Sequence, residues 1–398
     1  MNKTHFILKK EYQDYIDLHL KSDPVKLLLG KSSFPLGEMK VLIEQINAKR
    51  RCEKKLPSWF NSKGIIYPNK LNIEQTSSEI SAKHKASLIR GASIADLTGG
   101  FGVDCFYFAQ KFKWVTHFEL NEELSLKAAH NFEVLKISNI TCVKGDGIEL
   151  CKAHKYDWLY IDPSRRSDSK GKVFLLSDCL PNVPENLGDL FKTADNILIK
   201  VSPMLDITQG IKELQCVKEV HVVAVKNEVK ELLFILQNGF DGAINVHSTQ
   251  IASQGKSTTI VHSIGSAVEY KLGEIDKYIY EPNASVMKTQ GYNYWCDQFD
   301  LYKLSQHTHL FTSAQLIDFP GRRFKVISIS PFNKKSIKKK FGKRSFNVIS
   351  RNFPKSVAQL RSEYNLIDKD GDYLFFVAGI KNEKLVIEAE LIHSINID

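Results

Sequence analysis

An α/β protein built on a Rossmann-like, doubly wound sheet is predicted by two observations. Short apolar segments alternate with helical ones between about residues 71 and 236. Three of these segments end on an acid followed by a glycine turn or a helix start, at Asp96, Glu119 and Asp146. Asp96 opens the most informative turn, Asp96-Leu97-Thr98-Gly99-Gly100-Phe101-Gly102, between the apolar Ile94-Ala95 and a helix beginning at Val103. Glycines let a backbone approach a ligand closely, and a helix N-terminus attracts polar or anionic groups. Here the glycines lack the G-x-G-x-x-G spacing of a pyrophosphate cradle, and an acid in front of them repels phosphate. The turn suits a ligand that carries a cationic amino group.

The other elements follow in order. Residues 10–20, 24–29 and 37–50 read as helices of a small cap ending near residue 66, and Pro57, Pro68 and the 61–64 stretch punctuate the passage beyond it. A helix through Ile89 follows, with Ser77 or Ser78 as its N-cap. The first strand ends at Asp96, the second covers 114–119, and a helix covers 121–135. Strands at 140–144, 157–161 and 196–200 come next, then a hairpin of 220–225 with 231–236 turning about 226–230, which completes seven strands. Carboxylates at successive C-terminal ends of such strands line the crevice where ligands bind. Their natural partners are an amino group, a ribose diol and an adenine amine.

This ordered set of strand-end acids resembles the class I S-adenosylmethionine (SAM) dependent methyltransferases, over roughly residues 71–236. The resemblance implies SAM as cofactor and a seven-stranded sheet. It gives Asp96, Gly99 and Gly100 the methionine part, Glu119 the ribose hydroxyls and Asp146 the adenine amine, with Gln75, Thr98, Gly102, Leu120 and Gly147 beside them. Solvated acids at ordinary loop starts explain any one of the three acids better than all of them together.

Charge is unevenly spread. Between residues 319 and 362 there are thirteen basic residues and no acid, more than the net +10 of the whole chain, so the remainder is net acidic. Such clustering is the footprint of a phosphate-backbone binder, with Lys338, Lys339, Lys340 and Arg344 as candidate contacts. Phe324, Phe332, Phe341, Phe346 and Phe353, interleaved with the charges, are expected in a core rather than stacked on bases. Seven scattered cysteines with no C-x-x-C pair, no apolar run near the ~20 residues of a membrane span and no secretion signal lead to the expectation of a reducing, cytoplasmic setting without structural zinc or other metal. A monomer is favoured.

Beyond Gly239 come short alternating strands at 243–247 and 258–263, then mixed α+β segments containing Phe319-Pro-Gly-Arg-Arg-Phe324, Arg351-Asn-Phe-Pro354 and Gly371-Asp-Tyr-Leu-Phe375. These, with Gln75-Thr-Ser77 and Asp162-Pro-Ser-Arg-Arg166, resemble the THUMP-like-domain methyltransferases, which append ferredoxin-like and THUMP-like modules to the catalytic domain. The implied division is a helical domain at 1–66, a methyltransferase domain at 67–240, linker strands and a ferredoxin-like module at 241–325, and a THUMP-like, basic RNA-binding module at 326–398. The implied substrate is RNA, tRNA or rRNA.

The chemistry is expected at Asp162 and Pro163, after the fourth strand. Amino-methylating enzymes usually carry an acid or amide, two prolines and an aromatic there, but Ser164 and Arg165 replace the last two. Covalent ring activation is not expected, because Lys200-Val-Ser-Pro203 after the fifth strand has no cysteine. A second arrangement, Lys85, Asp162, Lys200 and Glu231, resembles the lysine-aspartate-lysine-glutamate tetrad of ribose 2′-O-methyltransferases, in which an amine of lowered pKa takes the hydroxyl proton. Lys83 could replace Lys85, and Glu228 could replace Glu231. Arg165 and Arg166 are candidate phosphate grips. The reading is an RNA methyltransferase acting on a base nitrogen or ribose hydroxyl, against the alternative of a SAM- and RNA-binding scaffold whose catalysis has lapsed.

Overall fold

The structure is a computed structural model that describes residues 5–165, 175–252, 255–264, 271–368 and 371–393. The chain forms two compact units, Met1–Val220 with Lys230–Gly242, and His221–Val229 with Ala243–Asp398.

The first unit begins with helices α1 (Lys10–Leu18), α2 (Pro24–Leu29), α3 (Leu36–Lys55) and α4 (Pro57–Asn61). Asp23 caps α2 by accepting from the backbone N–H groups of Val25 and Lys26, and Pro24 occupies the first helical position, where its missing N–H is not needed. Met39, Leu42 and Ile46, spaced along one face of α3, pack with Ile7, Tyr12 and Ile16 in a core of their own. Helix α3 runs past the expected end at 50, and Pro57 starts its successor. The passage to the sheet is buried, so its backbone needs internal partners. Asn131 takes both polar groups of Ile66 through its carboxamide, at 2.9 and 3.0 Å. Gln45 does the same for Tyr67, at 2.9 Å each.

Helices α5 (Lys70–Gln75) and α6 (Glu79–Leu88) lead to strand β1 (Ser93–Asp96), with Ser78, one of the two expected caps, accepting from Ser81 N–H. Then come α7 (Val103–Phe108), β2 (Trp114–Glu119), α8 (Glu122–Val134), β3 (Ile140–Lys144), α9 (Gly147–Leu150), β4 (Tyr156–Ile161) and the short pair β5 (Ser164–Arg165) and β6 (Cys179–Leu180). Helix α10 (Val183–Thr193), β7 (Ala194–Val201), α11 (Ile207–Glu213), β8 (Val217–Val225) and β9 (Glu228–Gln237) complete this part. Strands β1, β2, β3, β4 and β7 are parallel to their neighbours, and β9 is antiparallel to β7. Their order, β3-β2-β1-β4-β7-β9-β8, reverses direction of travel between β1 and β4, which is where an open α/β sheet makes its ligand crevice. The β8–β9 turn is tighter than expected: Lys226 and Asn227 alone make it, both left-handed with φ of 53° and 61°.

The strand count needs correction. The sheet has nine strands, because β10 (Asn245–Ile251) and β11 (Ser257–Ser263), expected as linker strands, continue its hydrogen-bonded order after β8. Sequence alternation located these strands but carried no information on which edge they extend.

The rest of the second unit is a seven-stranded sheet in the order β13-β14-β12-β15-β18-β17-β16. Its elements are β12 (Tyr278–Pro282), α12 (Ala284–Thr289), α13 (Tyr292–Gln298), β13 (Tyr302–Lys303), β14 (Phe311–Ser313), β15 (Gly321–Pro331), α14 (Lys334–Phe341), β16 (Asn347–Arg351), α15 (Val357–Tyr364), β17 (Tyr373–Ala378) and β18 (Lys384–Ile392). Phe341 and Phe346 are buried with Leu360 and Phe376 under α14 and α15, Phe332 and Phe353 pack against them, and Phe324 lies in a second core with Ile279 and Phe375. The phenylalanines among the basic residues are core.

Candidate active site

Three carboxylates stand at adjacent strand ends of the first unit. Asp96 ends β1 opposite His117 of β2, and Glu119 ends β2 opposite Lys144 of β3, two residues before Asp146. Asp96 is buried. It accepts from Thr98 N–H at 2.9 Å, from Thr98 Oγ1 at 3.3 Å and from Cys105 Sγ at 3.3 Å. Burial, helped by the charge of Asp104 and opposed by the Thr98 bond, raises its carboxyl to about 7. Glu119 is held by both oxygens, one accepting from Gly100 N–H and the other from Asn121 N–H, each at 2.8 Å. Asp146 caps α9 through a 2.9 Å bond from Ile148 N–H.

Two glycines are required here. Gly102 enters α7 at φ 81°, and a Cβ at Gly147 would lie 2.4 Å from the Leu97 carbonyl oxygen. Gly99 and Gly100 occupy the turn above the buried ring of His117, whose Nε2 lies 3.2 Å from the Gly100 carbonyl and whose burial lowers its pKa. His117 was not singled out from sequence, since a histidine inside an apolar strand gives no local signal. Leu120 is exposed, and Gln75 closes α5 with an exposed side chain.

A second cluster gathers the four tetrad positions. Lys200, at the end of β7, pairs with Asp162, beyond β4. Lys85 of α6 is fully buried and donates to both oxygens of Glu231, at 2.8 and 3.1 Å. The structure selects Lys85 and Glu231 over Lys83 and Glu228, which are exposed. A fifth member was not anticipated. Asp104, in the first turn of α7, lies 3.2 Å from Lys85 and accepts from Ser77 Oγ at 2.8 Å and Tyr160 OH at 3.0 Å. Burial alone would raise Asp104, but Lys85 and Lys200 outweigh it and hold the carboxyl below its usual range. The available signal was Ser77, which is not the helix cap and instead gives its hydroxyl to Asp104. Asp104 itself looks like any first-turn acid.

The lowering expected of a tetrad amine is not found at Lys200. Burial lowers Lys200, but Asp162, Asp104 and Glu231 together hold it above the ordinary lysine range. An amine that is lowered near this cluster is Lys55 at the end of α3, depressed by burial and then by the charge of Lys200. It donates to the Ile73 and Glu74 carbonyls at 2.8 Å. The two clusters are tied together: Thr98 Oγ1, from the glycine turn, accepts from Asp162 N–H at 2.8 Å. Pro163 is buried next to it. Arg165 continues as β5, and Arg166 lies outside the described residues.

Residues 278–320 match a family of ferredoxin-like domains, and residues 321–390 a THUMP domain-like family. The C-terminal region is a ferredoxin-like domain followed by a THUMP-like domain. The crystal structure of a Porphyromonas gingivalis W83 protein, described as a candidate methyltransferase, is similar over 96% of this chain and 97% of its own, with a TM-score of 0.86 and 27% identity. The first unit thus has the class I methyltransferase fold. An rRNA methylase from Streptococcus thermophilus is 16% identical over 41% of this chain and 98% of its own, with a TM-score of 0.29. The tRNA m1G37 methyltransferase of M. jannaschii is 12% identical over 41% and 50%, with a TM-score of 0.31. No curated protein matches.

In the THUMP-like domain the basic run is partly neutralised by acids remote in sequence. Buried Glu281 takes Arg322 and Arg351, and buried Glu388 takes Arg344 at 2.9 Å and Lys340 at 3.8 Å. Glu363 takes Lys334 and Lys355. Lys338 and Lys339, on α14, make no ion pair among the described residues. The four candidate contacts therefore differ: two are anchored and two are free.

Proposed function

We propose that the protein is a SAM-dependent methyltransferase that acts on RNA, tRNA or rRNA, with a base nitrogen as the acceptor. The observation that carries this reading is the bond from Asp162 N–H to Thr98 Oγ1. It joins a cofactor-type turn to a charged cluster able to receive a methyl acceptor. Asp96, buried and raised to about 7, is a carboxyl short of a cation, and a ligand ammonium would hold it ionised. Glu119 and Asp146 keep free lone pairs beyond their backbone bonds, for a diol and an amine. The cofactor supplies an electrophilic methyl group on a sulfonium. The chain's own contribution is orientation. Lys200 stays protonated and holds Asp162 in place by its ion pair, and Asp162 with the Pro163 carbonyl accepts from the incoming amine.

A second acceptor, the ribose 2′-hydroxyl, is favoured by the convergence of Lys85, Asp162, Lys200 and Glu231. It requires Lys200 to lose its proton, against the three carboxylates that stabilise it. RNA as the partner is supported by the THUMP-like domain and by the free Lys338 and Lys339 on it. Incubation with labelled SAM and unmodified cellular RNA, followed by mass spectrometry of nucleosides, is expected to yield one methylated nucleoside. Calorimetry that found no SAM binding would overturn the cofactor assignment.

A further inference from the structure

The second unit contains a cavity of about 680 Å³, a volume typical of small-ligand sites, that the methyltransferase reading leaves unused. Its wall includes Gln250, Glu281, Asn283, Phe299, Phe319 and Arg322. Three features of that wall point to one ligand chemistry. Phe299 and Phe319 meet edge to face, with centroids 5.7 Å apart, and give the cavity an aromatic side. The Oε1 of Gln250 is buried without a hydrogen-bond partner among the described residues. A buried carbonyl left in that state is costly, so a donor from a ligand would stabilise it. On the rim, the half-exposed guanidinium of Arg322 is held through Nε and Nη2 on buried Glu281, while Arg351 donates to the other oxygen of the same carboxylate at 2.8 Å. One acid fixes two arginines and leaves this group with a net positive charge, an arrangement that grips phosphate, and Asp318, the other acid of the wall, is paired with Arg323.

We propose that this cavity receives one unstacked nucleotide of a single-stranded RNA segment, with the phosphate on Arg322 and Arg351 and the exocyclic amino group of the base donating to Gln250 Oε1. Single-stranded RNA is read in this manner, by splayed bases against aromatic side chains with their edges hydrogen-bonded. Cytosine, adenine and guanine carry the required donor; uracil, with carbonyls at those positions, does not. The inference rests on RNA being the partner of this protein.

The test uses the full chain and short labelled oligoribonucleotides. Wild type is expected to bind oligo(C) roughly tenfold more tightly than oligo(U), the ratio that one such hydrogen bond is worth. Gln250→Leu should erase the preference while leaving oligo(U) affinity unchanged, a result that general misfolding does not produce. Arg322→Gln should weaken both oligomers alike and reduce the salt dependence by about one phosphate contact. Binding to neither oligomer would overturn the RNA reading itself. Equal binding to both, or a preference that survives Gln250→Leu, would overturn the cavity assignment and leave the RNA reading standing. If free cytidine monophosphate bound as tightly as oligo(C), with the same response to Gln250→Leu, the site would belong to a free nucleotide and the RNA-strand assignment would be overturned.

Discussion

The two units use charge in different ways. In the first, cation and anions are buried together: Lys85 is enclosed by Glu231 and Asp104, both buried as well, and by Ser77. In the second, the buried members are anions, Glu281 and Glu388, and the cations they hold, Arg322, Arg351 and Arg344, are between 42% and 48% exposed. A buried charge must be paired, so it dictates where its partners stand. The exposed partner remains available to a ligand. The first arrangement makes a rigid interior behind the Asp162–Lys200 pair, whereas the second presents positioned guanidinium groups to solvent.

The sharpest way to break this comparison is at the partly exposed Asp162–Lys200 pair of the first unit. Asp162→Ala should lower turnover by about 10²–10⁴-fold or more with SAM binding retained, in single-turnover assays. Lys200→Ala should be mild if a base nitrogen is methylated, and as damaging as Asp162→Ala if a ribose hydroxyl is. A near-normal Lys200→Ala rate would remove the ribose reading.

Next in size is a stability contrast. Lys85→Met strands two buried carboxylates and should cost about 3–5 kcal/mol in urea unfolding. Glu281→Gln frees arginines that can turn to water and should cost no more than about 1 kcal/mol. Equal costs would show that burial does not separate the two networks.

Asp96 gives a pH test. Its folded carboxyl, at about 7, is raised from the ~3.9 of an unfolded chain. The ligand-free fold therefore binds a proton that the unfolded state releases. The associated stability is present below about pH 4 and is lost as pH rises through about 7. Asp96→Asn should match wild type near pH 4, exceed it by on the order of 2–4 kcal/mol at pH 8, and bind SAM more weakly at both. Loss of stability in the asparagine variant at pH 8 would contradict the assignment of Asp96 as a carboxylate awaiting a cation.

The smallest effect separates free from anchored cations. Replacing Lys338 and Lys339 with alanine should flatten the logarithmic salt dependence of RNA binding by about 1.4 for a single strand. Replacing Lys340 and Arg344, both tied to Glu388, should change it less. The reverse order would place the RNA surface on the anchored pair.

These contrasts also explain what the sequence revealed. Asp96, Glu119 and Asp146 were legible because each ends a strand or follows it within two residues and starts a turn, a pattern contained in a few consecutive residues. Lys85 and Glu231 lie 146 positions apart and were only one of several possible pairings until burial separated them from Lys83 and Glu228. Asp104 was invisible, because its role comes from Lys85, Ser77 and Tyr160 arriving from three other elements. The basic segment misled in one respect. Counting charges between 319 and 362 could not register Glu281 and Glu388, which neutralise part of that run from neighbouring strands.

One contact made by the N-terminal helices bears on how the protein can be dissected. Ser58, in α4, gives Glu79 its backbone N–H at 2.6 Å and its hydroxyl at 2.8 Å, and Tyr107 of α7 adds its own hydroxyl at 2.8 Å. Glu79 opens α6, the helix that carries Lys85. Cutting the chain at residue 66 would thus do more than shorten it. The acid at the head of α6 would lose two of its three donors, and Asn131 would be left clasping a loose end at Ile66. A shortened catalytic fragment is a poor reagent for this protein, and its inactivity would say nothing about which residues perform the chemistry.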